Sequence, residues 1–140
     1  MVEFKVVVNA GKGGKSYQIP VSGHHANSLI GKKLGDEVDG IFVSLPGYKL
    51  QILGGTDKDG FPMKIDVPGS GRRRLLLSRT IGYKPTEHGK RQKKSIRGST
   101  ISQDIVQINM KVIKEGAKPI DQLVTTEGKT EGEKKPEEKK

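Results

Sequence analysis

The sequence predicts a mainly β protein: a small β-barrel of about six short strands with a basic loop and a disordered C-terminal tail. Short β-rich segments alternate with turns, and the chain has 19 glycines in 140 residues. No segment has a sustained apolar stripe at a spacing of 3.6 residues, which would predict a long helix. The core must be small and aliphatic, because hydrophobic residues make up 31% of the chain and aromatic residues 4%. Many short strands with frequent turns are typical of a barrel or a sandwich.

Six segments have the alternation or the β-branched content of strands. The first two flank a glycine-rich stretch and predict a hairpin, because short glycine-rich connections join antiparallel strands. The third strand is expected to end at Gly54 and Gly55, and a short helical turn can form around Leu29 and Ile30. The predicted strands are 2–8, 16–21, 48–53, 74–78, 95–101 and 106–113.

Residues 1–118 are expected to form one β-barrel domain and residues 119–140 a flexible tail. After Lys118 the chain is rich in Lys and Glu and has no aromatic residue. It therefore cannot bury enough apolar area to offset the entropy lost on ordering, apart from one short helical turn over 119–124. The chain also lacks cysteine, a leader pattern and any stretch of about 20 apolar residues, which predicts a cytoplasmic protein without a membrane span.

The net charge of +10 is concentrated in the middle of the chain. Residues 1–71 carry a net charge of +1, residues 72–118 carry +10 and residues 119–140 carry −1. A chain whose charge served only solubility would spread it over the whole surface. A focused block of positive charge instead indicates a polyanionic partner.

The most basic stretch, residues 72–97, holds ten cationic side chains and one carboxylate, that of Glu87. Six of the ten are arginines, whose planar guanidinium binds phosphate oxygens bidentately. Gly82, Pro85 and Gly89 predict a long loop over 83–95 that is mobile until it binds, and Tyr83 is a candidate for stacking on an unpaired base. The predicted RNA-binding residues are Arg72, Arg73, Arg74, Arg79, Lys84, Lys90, Arg91, Lys93, Lys94 and Arg97.

RNA is favoured over DNA as the partner because the sequence predicts no recognition helix that would enter a major groove. A DNA-binding β-barrel, a regulator or chromatin-like protein, is the alternative. A third hypothesis is a nucleotide-dependent enzyme, since Gly14, Lys15 and Ser16 match the end of a phosphate-binding loop. However, Asn9 occupies the position of the required first glycine, and the segment after Ser16 predicts a strand instead of a helix. A hairpin turn is the preferred interpretation.

No catalytic residue, metal site or cofactor is predicted. Asp57 and Asp59 lack the spacing of a calcium loop and are typical of a turn, where a carboxylate accepts a nearby backbone N–H. His24 and His25 would point to opposite faces of a strand, so they would not chelate a metal together.

Several blocks of the sequence resemble the archaeal and eukaryotic small-subunit ribosomal protein six, a family unrelated to the bacterial protein of the same number. The resemblance spans about residues 2–118 in order, and its first block is highly specific. The blocks are GGTDKDGFPMKIDV (54–67), RRRLLLS (72–78), GKRQKKSIRGSTIS (89–102) and DIVQINMKVIKEG (104–116).

The resemblance implies a β-barrel protein of the small ribosomal subunit in the cytoplasm, without enzymatic activity, and we expect it to be monomeric when free. It implies small-subunit ribosomal RNA and neighbouring ribosomal proteins as partners, and it carries over the same ten basic positions. Eukaryotic members continue into a long basic helix ending in a serine cluster that kinases phosphorylate, whereas this chain has no serine after Ser102. The short form is similar to archaeal members, so we do not expect phosphorylation to regulate it.

Overall fold

The computed structural model describes residues 2–11 and 14–124. Within these ranges seven strands form two sheets, and the prediction of a mainly β fold is confirmed. The elements are β1 (Glu3–Asn9), β2 (Ser16–Ser22), helix α1 (Gly23–Leu29), β3 (Glu37–Asp39), a 3-10 helix (Gly40–Val43), β4 (Lys49–Asp57), β5 (Arg72–Leu77), β6 (Gln92–Arg97) and β7 (Ile105–Lys114), followed by a helical turn over 120–124. The predicted disordered tail falls on 125–140, outside the described residues.

Five strands form a curled half-barrel in the order β2-β1-β7-β4-β3. All neighbouring pairs are antiparallel except β1 and β7, which run parallel. Burial alternates along β1, so Phe4, Val6 and Val8 face the core and are fully buried. Helix α1 and the 3-10 helix contact each other and β2, and so cover the open side of the sheet.

Both edges of this sheet are poorly suited to pairing with another chain. Strand β2 contains Pro20, which has no backbone N–H to donate and is tolerated because β2 is an edge strand. The opposite edge, β3, has only three residues. Short or proline-containing edge strands are a common protection against edge-to-edge association.

Strand β4 does not end at the glycine pair, as the sequence predicts, but continues to Asp57. The register shifts between Ile52 and Gly54, and the strand then pairs again with β7. A Cβ atom on Gly55 would lie 2.6 Å from the backbone oxygen of Gln107, whereas a Cβ on Gly54 would have no neighbour within 4 Å. Gly55 is therefore required for close packing inside the sheet and does not mark a turn.

Three further local predictions were wrong. The turn-rich segment after Ile30 contains the short strand β3, and His24 and His25 lie in α1 instead of a strand. The predicted strand 95–101 is displaced, since β6 ends at Arg97. The start of β6 is polar because the strand belongs to a two-stranded sheet that is largely exposed, so the hydrophobic pattern does not predict a strand there.

The packed part of the chain extends past the predicted boundary at residue 118. Ile120 belongs to the main core cluster, and Leu123 and Val124 pack against that cluster. The hydroxyl of Tyr48 donates a hydrogen bond to the backbone oxygen of Lys118. The three apolar side chains lie three and four residues apart, the spacing that places them on one side of a helical turn. The predicted turn is thus present, and it packs against the main core.

Candidate nucleic-acid interface

Strands β5 and β6 form a two-stranded antiparallel sheet, here called the basic ribbon. Arg72 pairs with Arg97 at its base, and Leu77 pairs with Gln92 at its outer end. Residues 78–91, which connect the two strands, are here called the basic loop. All ten predicted RNA-binding residues lie on the ribbon or the loop. The predicted loop 83–95 is shorter than expected, because residues 92–95 belong to strand β6.

A two-stranded hairpin alone is only marginally stable in water, so the ribbon needs apolar support. A second core cluster provides this support: Leu77 and Ile96 from the ribbon pack with Val67 and Tyr83. Tyr83 is 7% exposed. Its ring is part of this cluster and is not available to stack on an RNA base, so that prediction was wrong.

Nine of the ten cationic residues are exposed, and one of these nine, Arg72, is held in ion pairs, which leaves eight. Within the described part of the chain none of the eight has an ion-pair partner. These residues are Arg73, Arg74, Arg79, Lys84, Lys90, Arg91, Lys93 and Lys94, here called the free cations. No ion pair among residues 2–11 and 14–124 compensates their mutual repulsion, and exposed cations of this kind can bind a polyanion.

The free cations of the ribbon project from both of its faces. Directly paired residues of antiparallel strands share a face, and successive residues alternate between faces. Arg73 and Lys94 therefore lie on the face that carries Leu77, and Arg74 and Lys93 lie on the opposite face. The ribbon is therefore basic on both faces.

The basic loop encloses a groove of about 730 Å³. Three free cations, Arg79, Lys84 and Lys90, line it together with the single carboxylate of the segment, Glu87. This volume lies within the range of about 300–1,000 Å³ that is usual for small-ligand sites. Three of the free cations therefore line a concave part of the surface.

The base of the ribbon is fixed by a buried carboxylate, that of Asp57 at the end of β4. Its Oδ1 accepts hydrogen bonds from the backbone N–H groups of Asp59 and Phe61, at 2.9 and 3.0 Å. Its Oδ2 accepts from the Nε atoms of Arg72 and Arg97, at 2.8 and 3.0 Å. The expected turn at Asp57 and Asp59 is therefore present, and the same carboxylate also joins β4 to both strands of the ribbon.

The electrostatics of this network favour the ionised carboxylate. Burial raises the pKa of Asp57, but the backbone N–H of Phe61 and the Arg72 guanidinium, followed by the Asp59 N–H and Arg97, outweigh it. The net result is a pKa below the usual value of 3.8. A buried carboxylate with four donors remains charged at neutral pH and holds both arginines in place.

Arg97 is an internal residue, although the sequence placed it among the RNA-binding positions. Its side chain is 7% exposed, and its guanidinium also donates to the Ser70 backbone oxygen, the Ser102 hydroxyl and the Asp104 carboxylate. With four of its five N–H donors bonded inside the protein, this buried side chain is unsuited to binding a phosphate. Its function is to join the end of β6 to the segment before β7.

Arg72 is only partly available. Its Nε binds Asp57, its Nη2 binds Asp59, and its guanidinium lies 4.7 Å from the centre of the Phe61 ring. Such a cation–π contact adds to the ion pairs and orients the side chain. With 35% of its side chain exposed, Arg72 belongs mainly to the base of the ribbon.

Sequence reasoning missed the structural role of Asp57. The available signal was its position. Asp57 lies two residues after Gly55 in β4, and both positions face the core. A carboxylate at a core-facing strand position needs a cation or several N–H donors. The arginines nearest in the sequence would then have been candidates for internal pairing.

The glycine-rich stretch after β1 is a hairpin connection, as the sequence predicts. Asn9 pairs with Ser16, and the Asn9 side-chain oxygen accepts a hydrogen bond from the Gly11 N–H at 2.9 Å. Gly11 and Gly14 have φ angles of 77° and 67°, which glycine adopts without strain. Strand β2 begins at Ser16, so no helix N-terminus is present there to bind a phosphate.

Residues 2–11 and 14–124 contain no candidate metal site and no candidate membrane-spanning helix. No group of three or more His, Cys, Asp or Glu side chains in these ranges is arranged to hold a metal ion. None of the helices there is both long and apolar enough to cross a membrane.

Comparison with known proteins identifies the family. The family described as "Ribosomal protein S6e" matches residues 4–125. The chain is 52% identical over 132 residues to the "Small ribosomal subunit protein eS6" of Methanocella arvoryzae, with 94% of this chain and 93% of the relative covered. It is 51% identical over 123 residues to the protein of the same name from Archaeoglobus fulgidus, with 87% and 95% covered. The corresponding protein of Methanocaldococcus jannaschii is 49% identical over 124 residues, with 89% and 92% covered. These matches confirm the resemblance seen in the sequence: the chain belongs to the ribosomal protein S6e family.

Proposed function

We propose that this protein is a structural component of the small ribosomal subunit and binds ribosomal RNA through the basic ribbon and the basic loop. Its relatives are named small ribosomal subunit proteins and cover it almost from end to end. Membership of this family makes it a ribosomal protein of the cytoplasm and not an enzyme.

The observation that carries the RNA-binding proposal is the arrangement of the eight free cations. They lie on one ribbon and its connecting loop, are exposed, and have no ion-pair partner within the described residues. Phosphate contacts by Lys and Arg dominate the affinity of proteins for nucleic acids, because each contact releases condensed counterions. Arg97 is left out of the proposed RNA-binding set, and Arg72 is assigned mainly to anchoring the ribbon.

One structural feature favours the alternative partner, duplex DNA. A two-stranded β-ribbon can enter the major groove of B-form DNA, so the lack of a long recognition helix among the described residues does not by itself exclude DNA. The deep, narrow major groove of A-form RNA does not admit such an element, which leaves the shallow groove, loops and phosphates as RNA targets. The family relationship supports RNA. Competition between duplex DNA and a small-subunit rRNA transcript separates the two: a tenfold or greater preference for the transcript supports the proposal, and equal affinity favours DNA.

The direct test is sedimentation of a cell extract through a gradient that separates ribosomal subunits. The protein is expected to migrate with the small subunit, and recovery only in the soluble fraction at the top of the gradient would refute the proposal. A variant in which several free cations are replaced by glutamine is expected to be recovered in the subunit at a lower level.

We further propose that the free protein is monomeric and contacts neighbouring ribosomal proteins only after assembly. The proline-containing edge β2 and the three-residue edge β3 support a monomer, because neither offers a long strand for pairing. Sedimentation equilibrium of the purified protein should give a mass of 15.3 kDa. A concentration-dependent doubling of that mass would contradict the proposed monomer.

A further inference from the structure

We propose that Asp57 is a positioning residue for RNA binding: its buried carboxylate holds the two base arginines of the ribbon and so sets the direction in which the ribbon presents its free cations. This inference rests on the proposed RNA-binding function. It assigns a favourable role in polyanion binding to an acidic residue, the opposite of what its charge alone would predict.

The geometry places Asp57 where a small movement has a large effect. Arg72 and Arg97 are directly paired at the base of the ribbon, and both donate to the same oxygen of Asp57. From this pair the ribbon runs five residues further to Leu77 and Gln92, about 17 Å at about 3.3 Å per residue. A rotation of about 10° at the base would move the outer end by about 3 Å, roughly the length of a hydrogen bond.

Other contacts hold the ribbon less directly to the barrel. The backbone of Arg97 bonds to the segment after β4, at the Pro62 oxygen and the Lys64 N–H. The second core cluster packs the ribbon against Val67 and Tyr83, which also lie in connecting segments. Among the described residues, the Asp57 carboxylate is the side-chain link that joins strand β4 itself to both strands of the ribbon.

The test compares the affinity of Asp57→Asn and of the wild type for a small-subunit rRNA transcript at 0.1 M salt. Removing one negative charge would tighten binding if only net charge mattered. If Asp57 positions the ribbon, binding should instead be weaker. Each lost phosphate contact lowers the slope of log K against log salt by about 0.7 to 0.9, which is about five- to eightfold in affinity at 0.1 M relative to 1 M salt. The slope should fall by the same 0.7 to 0.9 per contact, a readout that a purely stabilising role would not change.

Two matched controls separate positioning from charge and from stability. Asp39→Asn removes one exposed carboxylate from β3 and should leave the affinity unchanged or slightly higher. Ile120→Ala weakens the core beside Tyr17 and Tyr48, at the other end of β4 from Asp57, and should leave the affinity of the folded protein unchanged. NMR spectra at the assay temperature establish that each variant is folded.

Weaker RNA binding by Asp57→Asn, with no loss in either control variant, supports the inference. Unchanged or tighter binding overturns it, and so does an equal loss in Ile120→Ala, because affinity would then follow stability. Failure of the wild type to bind the transcript would instead refute the proposed function.

A measurement on the wild type tests the inference even if Asp57→Asn does not fold. Residual dipolar couplings of the amides in β5 and β6 should fit the same alignment frame as those in β4 and β7. A separate frame for the ribbon would show that Asp57 does not fix its direction, and would overturn the inference.

Discussion

Replacing three neighbouring free cations by glutamine, as Arg91→Gln, Lys93→Gln and Lys94→Gln together, should reduce RNA affinity by about two orders of magnitude. Arg91 ends the basic loop, and Lys93 and Lys94 project from opposite faces of the ribbon. All three are exposed and have no ion-pair partner in the described part of the chain. If each contacts one phosphate, the slope of log K against log salt falls by about 2.1 to 2.7, at about 0.7 to 0.9 per contact. If the variant and the wild type bind RNA equally at 1 M salt, this change of slope corresponds to an affinity about 100- to 500-fold lower for the variant at 0.1 M salt.

The assay is titration of a labelled small-subunit rRNA transcript at several salt concentrations. A matched control removes three exposed lysines from the five-stranded sheet, as Lys5→Gln, Lys49→Gln and Lys111→Gln, and changes the net charge equally. The melting temperature of the ribbon variant should not fall, because the substitutions remove repulsion and break no ion pair. Equal losses of affinity in the two triple variants would refute the assignment, since net charge alone would then explain the binding.

Three further predictions concern the scaffold. Gly55→Ala should destabilise the protein by about 1–3 kcal/mol through the clash of its Cβ with the Gln107 backbone oxygen, whereas Gly54→Ala should be tolerated; equal urea-unfolding midpoints would contradict this. Asp57→Asn should cost about 3–5 kcal/mol at pH 7, because it leaves buried Arg97 without its main partner. Folding lowers the pKa of Asp57, so the stability that its ionised carboxylate contributes is present above pH 3.8 and is lost as the pH falls through the lower, folded-state pKa. The difference in free energy of unfolding between Asp57→Asn and the wild type should therefore shrink as the pH falls through that range. A difference independent of pH would show that the charge of Asp57 is not its cause. Ile120→Ala should cost about 2–4 kcal/mol in urea unfolding if the helical turn 120–124 is part of the domain, and no cost would place the boundary before it.

The sequence was sufficient to predict the fold class because its strongest signals are local. Alternation in β1 and period two in β7 depend only on which face of a strand is buried. The β1–β2 hairpin follows equally from a short glycine-rich connection. By contrast, the sequence predicts that a strand ends at Gly54 and Gly55, because the close approach of the β7 backbone at Gly55 depends on tertiary structure and leaves no local signal.

The basic segment shows the same division between local and tertiary information. Its charge predicts a basic surface, and nine of its ten cations are exposed. Composition could not show that Arg97 is buried, because its partners Asp57 and Asp104 come from β4 and the turn before β7. Tyr83 was misassigned for a similar reason: an aromatic side chain beside arginines has the same local pattern whether it supports a small core or faces an RNA base.

Site-specific photocrosslinking in assembled small subunits tests the central claim most directly. A photoreactive amino acid at Gln92, at the outer end of the ribbon, leaves every charge in place, and the same change at Gln18 on the exposed face of β2 is the reference. We predict that the probe at position 92 crosslinks to small-subunit rRNA more efficiently than the probe at position 18. No crosslink to RNA at position 92, or RNA crosslinks at position 18 alone, would contradict the assignment of the basic ribbon as the RNA-binding element.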